Sequence, residues 1–542
     1  MKKGFTLIEL LAVIIILAII LVIAVPGISG IIESTKKVAF EDQVKLVQRA
    51  AVLKYDMNPS YDFSIVNKSN IKHELDIDVS TFDAVGIEVN NDKVTTTIIK
   101  DGITITSSNN PVINNAKVYG LSWDGNITFT RTDDATPLTT VQVGVGNEEV
   151  TNNFDTAEIY SEIVEETDEY GNQFIKIPKF YIKKTVKDNA WTWQISKNQK
   201  DADYYLPACF VDEEIGKILP YVLVGKYNAS LNAGKLESKT GEVPLVSQNI
   251  TTFRNYAQAN GSGYQILDVH VVDILQTLFY IEFATLDSQS VMKGFTSGQF
   301  KAAHTISSIN GTTLTLPTGV AANYKIGQMI DIGTSLGNRK IAKNLRIIGV
   351  SNDTITYEIV SNVSELGVDP IATTNIVYNV SYLTGTTDGV TAKSGSLISN
   401  NDGKYAMKYR GIENFYGNLW QFVDGINIKA DNQAYVSRNA TAYDSYTYAG
   451  DYVKVGYVNA NTNGYVLTMG YDKNNPFIQL PTTVGSGQYN DYYYQASGNR
   501  IAVLGGRWDR GAIAGASSWH LYDGVADTFR IIIGSRLLKT PF

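Results

Sequence analysis

At 542 residues the chain exceeds one ordinary core of roughly 100–200 residues, so several folded units are expected. Short β-branched runs separated by Gly, Asn, Thr and Ser, with 33 Tyr against 19 Phe, describe a β-rich, loop-rich extracellular protein. A formal net charge of −8 with no Lys/Arg cluster among aromatics gives no support to a polyanion or nucleic-acid groove, and the lone Cys209 excludes an internal disulfide framework and a Cys-built metal cage.

From Phe5 to Val25 the chain is apolar apart from Thr6 and Glu9, long enough to cross a hydrocarbon core of about 30 Å at about 1.5 Å per residue. Lys2 and Lys3 precede this run, so the positive-inside rule keeps the N-terminus cytoplasmic and sends the rest outward. An ordinary secretory signal has a shorter apolar region with its small-residue cleavage site behind it; here the small residue, Gly4, comes first.

The segment Met1-Lys-Lys-Gly-Phe-Thr-Leu-Ile-Glu9 closely resembles the leader and first mature residues of type IV prepilins. The resemblance implies cutting between Gly4 and Phe5 by a prepilin peptidase, methylation of the new Phe5 amine, and retention of the apolar helix. It also implies other pilin subunits as partners, and passage from a single-pass membrane form to an extracellular pilus filament. Pro26 stands where pilins of this kind often bend the helix. Glu9 needs a partner, because a carboxylate in an apolar helix costs on the order of 2.5–3.5 kcal/mol. The resemblance supplies one, the Phe5 amine of a neighbouring subunit; a tolerated carboxylate near the membrane face is the plainer alternative.

Beyond Pro26, Phe40, Val44, Val47 and Ala51 recur at helical spacing and predict an apolar stripe on the outer half of a long helix, residues 5–57. Over residues 58–116 the pattern turns to short strands. Ala84–Val89 and Lys93–Ile99 flank the turn residues Asn90-Asn91-Asp92 and predict a hairpin, and Ser107–Asn115 reads as a linker.

In residues 117–542 the motifs are Trp123-Asp-Gly with Arg131-Thr-Asp-Asp134, Ile175–Tyr181, Gly417-Asn-Leu-Trp420, Gly505-Gly-Arg-Trp508, Phe529-Arg530 and Gly534-Ser-Arg536. The glycine pairs permit close backbone approach, and Trp420 and Trp508 suit a core beneath long loops, which makes them framework. Val272–Phe283 predicts a helix with Ile274, Leu278 and Ile281 on the face that packs against a sheet. Across residues 294–381 alternation at period two around Gly and Asn turns predicts an all-β insertion, a small barrel or sandwich, more a spacer than a binding module.

The Gly417–Trp420 and Gly505–Arg536 motifs resemble the C-type lectin fold variant of formylglycine-generating enzymes, of phage tail adhesins and of the variable proteins of diversity-generating retroelements. The implied fold is α+β: a long N-terminal pilin helix with a small sheet, then a C-type-lectin-like domain interrupted by the β insertion. Formylglycine-generating enzymes use paired cysteines to hold copper, and a chain with only Cys209 departs from that pattern. His73, His270, His304 and His520 lie at no ligand spacing, and no HExxH, GxxxxGK[ST] or GxSxG occurs, so neither an enzyme nor a bound cofactor or metal is expected. Calcium held by carboxylates from separate loops stays open.

What remains is a run of exposed-looking recognition types set in a fixed-looking frame: Arg507, Asp509, Arg510, Ser517, Ser518, Trp519, His520, Tyr522, Asp523 and Asp527. Any one of them is as well explained by a solvated loop or a packed ring; as a set they point to a surface that binds a glycan or protein. The run resembles the variable region of retroelement-diversified lectin-fold proteins.

Overall fold

The computed structural model describes residues 39–541 other than 42, 78–81, 91–92, 109–115, 141–148, 151, 213–214, 488 and 523–529. The described residues form two compact units, one within Met1–Ile113 together with Ile215–Ile218, the other within Asn114–Glu214 and Leu219–Phe542. Both are built mostly from strands with few helices, compatible with an α+β class.

In the first unit, residues 43–57 are helical and the predicted stripe is the buried one: Phe40, Val44, Val47 and Ala51 are each at most 4% exposed. They pack on Phe63, Ile71, Val85, Ile87, Val94 and Ile98, and Gln48 Nε2 donates to the Val94 carbonyl at 2.7 Å. Strand Ala84–Asn90 pairs antiparallel with Lys93–Lys100, as the alternation predicts, and Lys100 leads into a third strand, Ile103–Ser108. Ser107 and Ser108, read from sequence as the start of a linker, close that strand instead, because their backbone pairs with Thr96 and Thr95. Ile215–Ile218 returns from later in the chain to pair parallel with Val85, whose N–H donates to the Gly216 carbonyl at 2.9 Å. Gly86 makes this possible, since a Cβ there would stand 2.8 Å from Ile218 Cβ.

In the second unit the helix Val269–Phe283 is buried along its whole length, between the strands Val118–Trp123, Ala190–Ser196 and Trp420–Ile428. The sequence assigns it one packed face; it has apolar surroundings on every side because its polar residues find enclosed partners. Asp273 pairs with Lys184 and with the Tyr205 hydroxyl, and Glu282 pairs with Arg410. Asp268 caps the N-terminus, accepting from the His270 and Val271 amides at 3.0 and 2.8 Å. At the other end Arg131 donates to the carbonyls of Ile281 and Glu282.

Strand Leu537–Lys539 lies between Tyr264–Ile266 and Tyr221–Gly225, so the chain's end closes a sheet begun much earlier. Beside it, among the described residues, a nine-stranded sheet runs through Trp420–Ile428, Arg500–Leu504, Trp519–Leu521, Tyr492–Gln495 and Gly464–Met469. Residues His304–Asn379 form an eight-stranded sheet with its own core of Leu314, Ile330, Ile332, Leu345, Ile347 and Ile355. Phe300 bridges that sheet to the rest of the unit, its ring 5.7 Å from both Tyr378 and Trp508.

Candidate functional site

The two glycine–tryptophan motifs meet. Gly417, at φ +77°, donates its N–H to the Gly505 carbonyl at 2.9 Å, and Trp508 donates to the Asn418 carbonyl at 3.2 Å. Gly506, at φ +83°, would drive a Cβ to within 2.2 Å of Ala514 Cβ, so only glycine allows the chain to fold back there. Trp420 and Trp508 are 1% and 0% exposed in the main core. Arg536 is enclosed behind them, donating to Gln421 Oε1 and to the carbonyls of Gly225, Lys226, Glu413 and Asn414 at 2.7–3.2 Å. Burial pushes its guanidinium down to about 9, against the pull of Glu413.

On this frame the ten recognition candidates separate. Arg507 is buried and paired with Asp509, Nε to Oδ1 at 2.6 Å, with its guanidinium over the Phe300 ring. Ser518 is fully buried, its hydroxyl donating to the Tyr492 and Ile513 carbonyls at 3.0 Å. Trp519 and His520 are 3% and 6% exposed, on opposite faces of their strand. Trp519 lines a small cavity with Tyr280, Leu286 and Asp491, and His520 packs 4.9 Å from Trp420. The four are therefore enclosed rather than exposed as expected: pairing of Trp519–Leu521 with both Arg500–Leu504 and Tyr492–Gln495 places Trp519 and His520 inside the sheet, while the Asp509 ion pair and two backbone carbonyls hold Arg507 and Ser518.

Arg510 and Ser517 are half-buried and Tyr522 is 48% exposed. Ser517 is held by the Tyr280 hydroxyl at 2.7 Å and donates its amide to Asp491 at 2.8 Å. Arg510 lies over Tyr494 at 5.3 Å. Asp523 and Asp527 lie outside the described residues, as do Gly4, Phe5 and Glu9.

Two features escaped the sequence reading. Tyr465, Tyr492 and Tyr494 join His520 in one aromatic row, a pattern hinted at by the alternation within Tyr492-Tyr493-Tyr494. A polar cleft of about 290 Å³ opens between Asp287, Gln289, Lys293, Thr296, Asn490 and Gly511. Burial raises the Asp287 carboxyl even though Asn490 donates to it at 2.9 Å.

Charge in the site is set by enclosure. Burial, together with the guanidinium groups of Arg510, Arg530 and Arg507, pushes His520 down to about 3 and keeps its ring neutral. Burial likewise raises the Cys209 thiol well above its ordinary range, which leaves it unreactive. Among the described residues no three His, Cys, Asp or Glu side chains gather to hold a metal.

Residues 1–25 match the prokaryotic N-terminal methylation motif. No curated protein matches the chain. The motif supports a type IV pilin- or pseudopilin-like protein with pilin-type assembly partners, and is consistent with a membrane-anchored precursor. Among the described residues no helix is long and apolar enough to cross a membrane; the Phe5–Val25 run lies outside them.

Proposed function

We propose that the chain is a minor or tip subunit of a type IV pilus whose C-terminal lectin-like domain, residues 117–542, displays a ligand-binding surface for adhesion, without enzymatic activity. The observation that carries this reading is the construction of the C-terminal segment: a frame tied down at Gly417, Trp508 and Arg536 beneath side chains, Arg510 and Tyr522, that reach solvent. Rigid scaffolds with open aromatic and guanidinium groups suit recognition, because little freedom is lost on binding. A large head also suits a tip or minor position, since such heads collide along a densely packed shaft. Retroelement diversification of the segment after Leu504 belongs to the same reading, and predicts a near-copy of its coding sequence nearby, differing mainly at adenines, beside a reverse transcriptase gene.

The test presents the full chain, in detergent, to panels of glycans and of bacterial and host surfaces, beside a variant carrying Arg510→Gln and Tyr522→Ala. Specific binding lost in the variant supports adhesion. Absence of binding to every surface removes the adhesive reading and leaves a pseudopilin of a secretion or DNA-uptake system, which carries the same leader.

A further inference from the structure

Three adjacent strands of the nine-stranded sheet set aromatic rings side by side. In Gly464–Met469, Tyr492–Gln495 and Trp519–Leu521 the register places Tyr465 opposite Tyr492 and Tyr494 opposite His520. Side chains alternate along a strand, so Tyr492 and Tyr494 share one face while Tyr493, 0% exposed, turns into the interior. Ring centroids follow one another at 5.0 Å from Tyr465 to Tyr492, 4.7 Å to Tyr494, 5.0 Å to His520 and 5.7 Å to Tyr522. Tyr465, Tyr492 and Tyr494 are partly exposed and Tyr522 is 48% exposed, so the row reaches solvent on both sides of the buried His520. Rings that already pack against each other lose little freedom when something lies on them.

Arg510 supplies the second observation. Its guanidinium lies over Tyr494, yet its Nε is buried with no hydrogen-bond partner. The neighbouring Arg507 is neutralised by Asp509, whereas Arg510 has no ion pair among the described residues. The side chain as a whole is half-buried, so an incoming carboxylate can pair with the open end of a guanidinium that lacks an ion pair. His520 is held neutral by burial, so the charge of the row comes from Arg510.

We propose that this row is the binding site for an oligosaccharide carrying one carboxylated sugar, its rings resting on the open parts of Tyr465, Tyr492 and Tyr522 and its carboxylate accepting from Arg510. The inference rests on the adhesive reading and gives it a ligand class. Sugar rings present axial C–H groups that suit aromatic surfaces, and a single unpaired guanidinium matches a single carboxylate. A polyanion is a poor fit, because the chain around the row carries a net charge of −8. A neutral sugar leaves the Arg510 guanidinium without a counter-charge.

The test uses the full chain in a polyoxyethylene detergent, which carries no sugar, titrated with sialyllactose and, as controls, lactose and acetate. Binding is followed by calorimetry and by saturation transfer from the protein to ligand protons. Sialyllactose is expected to bind about tenfold more tightly than lactose, the worth of one charge-assisted contact, and acetate is expected not to bind measurably. Arg510→Gln should bring sialyllactose down to the affinity of lactose, and Tyr522→Ala should weaken both sugars. Both substitutions fall on partly or largely exposed side chains, and unchanged melting of the variants confirms that the fold is intact. Equal binding of the two sugars, a preference that survives Arg510→Gln, or binding of an acidic peptide in place of sialyllactose overturns the inference. If sialyllactose fails while the chain still adheres to surfaces through Arg510 and Tyr522, the ligand class is wrong and the adhesive reading stands; if adhesion is absent as well, both fall.

Discussion

Glu282 and Arg410 face each other in a two-pronged ion pair closed to solvent, Nε to Oε2 at 2.8 Å and Nη2 to Oε1 at 2.7 Å, with side chains 0% and 1% exposed. The Tyr409 hydroxyl and Asn152 Nδ2 donate to the same carboxylate at 3.0 and 2.8 Å, and Asp155 takes the remaining arm of the guanidinium at 2.9 Å. The network anchors the C-terminal turn of the buried helix Val269–Phe283, the element on which the surrounding sheets pack.

Removing one partner leaves the other charged and enclosed, which is more costly than losing the attraction itself. Arg410→Met is expected to lower stability by about 3–5 kcal/mol, and Glu282→Gln introduced beside it should restore part of the loss. Urea denaturation of the single and double variants measures both quantities. A single variant within about 1 kcal/mol of the parent would show that the carboxylate finds another partner or a proton.

Asp491 titrates in a second enclosed site, where the Ser288 amide, the Ser288 hydroxyl and the Ser517 amide donate to it at 3.0, 2.7 and 2.8 Å. Burial outweighs these bonds and raises it to about 7. A carboxyl raised in the fold adds stability that is complete below its unfolded value of about 3.9 and is withdrawn as pH climbs through the folded value. Asp268 and Glu413, also raised to about 7 by burial, act in the same sense. His270 and His520, lowered to about 3 by burial, act oppositely, favouring the fold above about 6.5 and losing that contribution as pH falls. Because these slopes oppose one another, the clean quantity is a difference between proteins. Asp491→Asn should make the slope of stability against pH more positive by one proton, roughly 1.4 kcal/mol per unit, between about pH 5 and pH 6.5. Denaturant midpoints taken across that interval in both proteins decide it, and parallel profiles would show that Asp491 is ionised in the fold throughout.

Local periodicity was readable wherever contacts are close in sequence. The stripe Phe40, Val44, Val47 and Ala51 and the pairing of Ala84–Asn90 with Lys93–Lys100 follow from spacing alone. The helix around Val272–Phe283 is readable as a helix but not as a fully buried one, since the charges of Asp273 and Glu282 suit solvent until Lys184 and Arg410 arrive from distant parts of the chain. The same limit applies to the candidate site. Arg507, Ser518, Trp519 and His520 have the composition of a recognition loop; strand pairing with Arg500–Leu504 and Tyr492–Gln495 turns Trp519 and His520 inward, while Asp509 holds Arg507 and the Tyr492 and Ile513 carbonyls hold Ser518. Tyr465 belongs with Tyr492 through a register that no local pattern contains.

Gly86 tests the join between the Ala84–Asn90 strand and Ile215–Ile218. A methyl group at residue 86 meets Ile218 Cβ at 2.8 Å, closer than side-chain carbons tolerate, so Gly86→Ala must displace the returning segment or the strand. Overpacking of this kind costs about 1–3 kcal/mol. The Val85 amide, which donates to the Gly216 carbonyl, should lose much of its protection from hydrogen exchange, while the Gln48 contact to Val94 across the helix face persists. Unchanged protection at Val85 would mean that the glycine is there for another reason.

Glu9 tests the assembly step that the N-terminal motif implies. The motif covers residues 1–25, and within it Glu9 is the only acidic side chain of an apolar run. A lone carboxylate in such a run costs on the order of 2.5–3.5 kcal/mol in the membrane; on the proposed pilin reading, the Phe5 amine of a neighbouring subunit relieves that cost. Glu9→Ala removes both the cost and the attraction. The variant should therefore be inserted, cut after Gly4 and methylated at Phe5 as the parent is, yet be depleted at least tenfold from filaments sheared off the cell, a factor that corresponds to about 1.4 kcal/mol. Mass spectrometry of the mature N-terminus separates processing from assembly, and quantification of the chain in membrane and filament fractions gives the ratio. Glu9→Asp, which keeps the charge on a shorter stem, should assemble to an intermediate level. Filaments containing the alanine variant at the parental level would place the driving force in apolar packing of the helices and leave Glu9 without an assembly role.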